Sequence, residues 1–352
     1  MSNVVMLKPV RKQEIQDVLA RLIAGVAQDR RTSDDVFWLK ENAELLGVLV
    51  GTGTRPDATA LAPFEEFYAG IAQRLQFFPQ YYRFLLSLCL DLEDLGLPGD
   101  QGTKVTQWVA RSGLVDAELS DLQRGEARRL LARRGAARQE DPDLDARLER
   151  FIGRPATFAV PNKKAAYELT HIVFYLSEYG QHDPELAPEA IRSLRFAGLL
   201  AYLDQNVDLL AEVCTALRFA RAGVPPIWEA AVTKAHRAIM LDQSGQAGLN
   251  DAFHEYLVTG WMVHVAGGVA FGAELPDAPL RFHRPVAAQG ALRTMSECMF
   301  EMGENRSGSW QQMRPHVLSM LGSNGHEVLV QAERSSDEFE AFFEGFARAG
   351  QM

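Results

Sequence analysis

Apolar residues return at spacings of three and four along almost the whole chain, and strict polar/apolar alternation is nearly absent. Period 3.6 without period 2 leaves helix packing as the way to bury them. The pattern is clearest from Pro161 to His182, PNKKAAYELTHIVFYLSEYGQH. A helix over 163–179, stopped at Gly180, puts Leu169, Ile172, Val173 and Leu176 on one face. Lys164, Glu168, His171, Tyr175 and Glu178 fall on another. The expected fold is all-α, an irregular α/α array or toroid of about fourteen helices. Segments 163–179, 188–203, 207–222 and 250–272 are expected to form its centre.

With 352 residues, the chain has room for two domains or one large helical array. GAARQEDPDLD at 135–145 reads as a linker between an N-terminal half, 1–134, and a C-terminal half, 146–352, unless the chain is one continuous unit. A net charge of −10 argues against nucleic acid or an anionic membrane surface as the main partner. Cys89, Cys214 and Cys298 lie far apart in apolar helical patterns. They fit neither zinc spacing nor a disulfide framework, and read as reduced core residues of a cytoplasmic protein. The start of the chain lacks a signal-peptide apolar region. The most apolar run, 256–273, is broken by Thr259, His264 and glycines, so it reads as a buried helix rather than a membrane span.

The sequence holds no phosphate-binding loop, GxGxxG, CxxC, HExxH or GxSxG. Glu168-x-x-His171 places a carboxylate and an imidazole on one helix face, within reach of one ion, as in di-iron bundles. Asp251-x-x-His254 repeats the spacing on a second helix. Glu212, set among Leu209, Leu210, Val213 and Leu217, supplies a further carboxylate. Glu168, His171, Asp251, His254 and Glu212 are therefore the candidate ligands for a divalent metal, iron or zinc. Eight histidines and 46 acids produce roughly one such pair by composition alone. The 164–178 stripe also has the form of an ordinary wet helix face. Asp204-Gln-Asn-Val-Asp208 echoes the start of a calcium loop, but Leu209 and Thr215 stand where that loop needs Gly and Glu. Its acids read as caps and first-turn charges of the next helix.

Three stretches, YELTHIVFYLSEYG, DVFWLKENAELL and FHEYLVTGW, resemble a bacterial all-helical family of unknown function, over most of the chain. That resemblance implies a single evolutionary unit and no particular activity. Two functional readings follow from the residues. One is a metal- or small-ligand-binding helical protein, enzyme included, using the carboxylate/histidine set. The other is a non-catalytic scaffold that binds a protein partner through the arginine-rich helix near Arg129 or the Phe339/Phe342/Phe343/Phe346 helix.

Overall fold

The computed structural model describes residues 12–136, 141–242, 251–271, 281–285 and 289–349. Among them are eighteen α-helices and one two-stranded ribbon, so the chain is all-α, with more and shorter helices than the fourteen expected. It divides into two compact units.

The first unit comprises Met1–Val105, Leu241–Asp251 and Val269–His283. It holds α1 (Lys12–Ala24), α2 (Val36–Gly51), α3 (Glu65–Ala69), α4 (Ile71–Phe77) and α5 (Tyr82–Leu95). The division falls inside α6 (Gln101–Ser112). Strand β1 (Met240–Asp242) pairs with β2 (Arg281–His283). The first helix ends at Ala24 and passes into a π-helical turn, Gly25–Asp29. That turn delivers Arg30, whose side chain is fully buried. Its guanidinium donates to Glu41 Oε2 (3.0 Å) and Asp251 Oδ2 (3.1 Å), and lies 5.1 Å from the Phe282 ring centroid. Arg31 donates a further 2.8 Å bond to Glu41. Arg30→Ala would leave the Glu41 and Asp251 carboxylates short of a buried counter-charge, a change that typically costs about 3–5 kcal/mol.

The second unit comprises Thr106–Met240, Ala252–Gly268 and Arg284–Met352. After α7 (Asp121–Ala132), α8 (Leu144–Ile152) and α9 (Pro155–Phe158) come α10 (Lys163–Leu176), α11 (Pro188–Leu203), α12 (Val207–Phe219), α13 (Pro226–Ala238) and α14 (Phe253–Val265). The chain closes with α15 (Leu292–Met302), α16 (Trp310–Met320), α17 (Ser323–Ser335) and α18 (Phe339–Ala347). The segment read as a linker is flanked by α7 and α8, which pack on each other inside this unit; residues 137–140 lie outside the described residues.

Helix α12 is the hub, packed by α10, α11, α13 and α14. Every residue from Leu209 to Leu217 is buried, as a helix surrounded on all sides requires. Asn206 starts it, its side chain accepting from Leu209 N–H at 3.2 Å. On α11, Gly198 is required by the Trp228 ring, which occupies the space a Cβ would need.

Two helices stop earlier than their apolar patterns suggest. Helix α10 ends at Leu176, because Glu178, Tyr179 and Gly180 turn left-handed (φ 48°, 55° and 86°). Helix α14 ends at Val265, with Gly267 left-handed (φ 84°) and Gly268 N–H donating to Val263 O at 2.8 Å. These are the bonds of a glycine-terminated helix end. Gly267 and Gly268 thus close the helix instead of extending it, and Gly272 lies outside the described residues.

The phenylalanine face of α18 is buried within its own unit. Phe342 and Phe343 are fully buried, with Phe343 4.7 Å from Trp310 and Phe342 5.7 Å from Phe196, between ring centroids. A face already packed against α16 and α11 is not offered to a partner. Phe342→Ala should cost about 3–5 kcal/mol in chemical denaturation, the usual range for a phenylalanine lost from a core.

His236 is half-buried on α13, stacked on Tyr256 (5.1 Å) and bonded through Nδ1 to Thr259 Oγ1 (2.9 Å). Burial, helped by neighbouring Arg237, lowers its pKa from 6.5 to about 4. A depressed imidazole contributes stability above its unfolded pKa and loses it as pH falls towards the folded value. Thermal melts should therefore show stability declining between pH 6.5 and 4, and His236→Gln should flatten that decline.

Candidate functional site

Helix α12 carries Asp208 and Glu212 four residues apart, on one face by helical geometry. Helix α14 brings His254 to them. One ligand-capable atom from each of Asp208, Glu212 and His254 lies within 4.8 Å of the others. His254 Nδ1 is 2.7 Å from Asp208 Oδ1. A carboxylate accepts only, so the neutral ring holds its hydrogen on Nδ1 and keeps a lone pair on Nε2.

Helix α10 supplies the support. Tyr167 donates its hydroxyl to Asp208 Oδ2 at 2.6 Å. Burial, reinforced by the Asp208 charge, raises the Tyr167 pKa, so the phenol stays a donor. Thr170 Oγ1 lies 2.6 Å from Glu212 Oε2 and 3.0 Å from the Tyr167 carbonyl. His171 Nδ1 contacts the same carbonyl at 2.8 Å and lies 3.6 Å from Glu212 Oε2. Because a carbonyl only accepts, Nδ1 of a neutral His171 carries the hydrogen. The Phe174 ring packs 4.8 Å from Trp261 of α14 and 5.9 Å from Phe219 of α12, which fixes the three helices beside one another.

Glu212 is 2 % exposed. Burial pushes its carboxyl above the ordinary value of 4.5; Asp208 pushes the same way, while His171, Thr170 and His254 oppose. The Thr170 hydroxyl serves both protonation states. It donates to a charged Glu212, or accepts from a protonated one while donating to the Tyr167 carbonyl.

Of the five sequence candidates, Glu212 and His254 meet in the cluster, and His171 borders Glu212. Glu168 is absent from it, with Lys164 3.9 Å away as an i,i+4 ion pair. Asp251 belongs to the first unit, where its carboxylate accepts from Arg30. Asp208 was read only as a first-turn acid. Its i,i+4 relation to Glu212 was the available signal, hidden because acids in a first helical turn are common for electrostatic reasons alone. On the arginine-rich helix Arg129 pairs with Glu178 at 2.8 Å and covers Tyr179 at 4.5 Å, while Arg124 and Arg128 each make one ion pair, with Asp141 and Asp145.

With Glu212's folded pKa above its unfolded one, this group favours the folded state most at low pH. That contribution is lost as pH rises through the folded value. Glu212→Gln keeps the shape and cannot ionise. In metal-free protein at pH 7 it should melt higher than the parent, and the gap should close towards pH 4. A variant that melts lower at pH 7 would show that the buried charge is not a burden.

The chain matches the family described as Domain of unknown function (DUF6902) over residues 1–349, and belongs to it. No curated protein and no solved structure matches it. Among the described residues no helix is long and apolar enough to cross a membrane.

Proposed function

We propose that this member of the family binds a divalent transition-metal ion, zinc or iron, through Asp208, Glu212 and His254. The observation that carries the reading is a buried carboxylate, Glu212, with a second carboxylate and an imidazole gathered around it. Two oxygens and one nitrogen suit a borderline divalent ion, and a 2+ charge offsets both acids. Bonds to zinc run about 2.0–2.2 Å, which places neighbouring ligand atoms roughly 3.3 Å apart. The cluster has to tighten by roughly 1.5 Å at its widest, and His254 has to exchange its Nδ1–H bond to Asp208 for a nitrogen–metal bond. Tyr167 and Thr170 hold one oxygen of each carboxylate, the outer-shell support that ligating carboxylates usually have. Three protein ligands leave positions for water or a substrate group, the arrangement of metal sites that do chemistry. The scaffold reading loses its phenylalanine surface to the core of the second unit.

Isothermal titration of the metal-free chain with Zn2+ should give one site per molecule. Glu212→Gln and His254→Ala should each weaken it at least about tenfold, or about 1.4 kcal/mol. His171→Ala should weaken it less, and Glu168→Gln not at all. Affinity should fall on acidification, because imidazole and carboxylates must be deprotonated to ligate. Zn2+ binding unchanged by Glu212→Gln and His254→Ala, with folds verified by circular dichroism, would overturn the assignment.

A further inference from the structure

The second unit contains a cavity of about 520 Å³ that the metal site does not use. Its apolar wall comes from Val109, Val115, Leu131 and Leu144, and Leu119, 99 % exposed, adds an apolar lip. Three arginines and three aspartates also face it, and they are not equivalent. Arg147 is saturated. It bonds Asp121 at 3.0 and 2.9 Å, and Asp141 at 2.9 and 2.6 Å, which neutralises much of both carboxylates and ties α8 to the start of α7. Arg124 and Arg128 sit four residues apart on α7 and are used only in part. Arg124 gives Nε to the Glu118 carbonyl (2.8 Å) and makes one long contact, 3.5 Å, to Asp141. Arg128 gives one terminal nitrogen to Asp145. Each guanidinium carries five donors, so among the described residues both keep N–H groups to offer a ligand. Asp116 is the remaining acid on the wall.

We propose that this cavity binds a small amphipathic anion, an apolar body ending in a carboxylate, with the anionic end between Arg124 and Arg128. Two guanidiniums at i,i+4 recognise a carboxylate by charge-assisted hydrogen bonds. The leucine and valine wall takes the apolar body, and the volume lies in the range of small-ligand pockets. Arg147 stays with its aspartates and keeps the wall in shape.

The test uses the full chain and the probe 8-anilinonaphthalene-1-sulfonate, an anion on an apolar body whose fluorescence rises on burial. It should bind saturably, and octanoate should displace it while 1-octanol, the uncharged counterpart, should not. In the double variant Arg124→Gln/Arg128→Gln, probe affinity should fall at least tenfold. Asp116→Asn should leave it unchanged or tighter. Non-saturable binding, equal displacement by octanol, or full affinity in the double variant would overturn the proposal. If the double variant fails to fold, the octanoate-against-octanol comparison on the parent chain still decides it.

Discussion

The buried carboxylate of Glu212 is the constraint on which the second unit turns. It sits in the middle of α12, a helix covered on every side from Leu209 to Leu217, where water cannot solvate a charge. An isolated carboxylate in such a place either neutralises or acquires partners. Here it has the means for both. The Thr170 hydroxyl accommodates either protonation state, and the His254 imidazole and a second carboxylate, Asp208, stand close enough to share a cation with it. The helices that make α12 the hub also carry these groups: α10 brings Tyr167, Thr170 and His171, and α14 brings His254. Packing and chemistry thus depend on the same contacts.

The first unit solves a similar problem with a fixed answer. Arg30, buried at the exit of a π-helical turn, supplies the cation that Glu41 and Asp251 need. The protein side chain itself is the counter-ion there, so no ligand is called for. Among the described residues no lysine or arginine plays that part around Glu212; the nearby cationic candidates are histidines, whose charge is conditional. That difference separates a structural ion cluster from the proposed cation site.

Helical class was legible because a 3.6-residue period is written into each segment, and α10 and α11 begin at Lys163 and Pro188, where the segments 163–179 and 188–203 start. Helix ends were less legible. An apolar run past Val265 looks helical until Gly267 adopts a left-handed conformation, and Tyr179 looks helical until Glu178 turns. Glu212 and His254 could be singled out as a carboxylate in an apolar helix and an acid-spaced histidine. Asp251 shared that spacing with His254, but its direction is set by Arg30, 221 positions away, which no local pattern encodes. Asp208 was overlooked for the converse reason: a first-turn acid already has a local explanation, and only the tertiary approach of α14 gives it a second one.

Crystals of the full chain grown with Zn2+ and measured at the zinc absorption edge would test the central claim most directly. The account predicts one anomalous peak at bonding distance from Asp208, Glu212 and His254, with Tyr167 and Thr170 still on the carboxylates. A map with zinc bound elsewhere, or with none at these three residues when zinc is in excess, would contradict it.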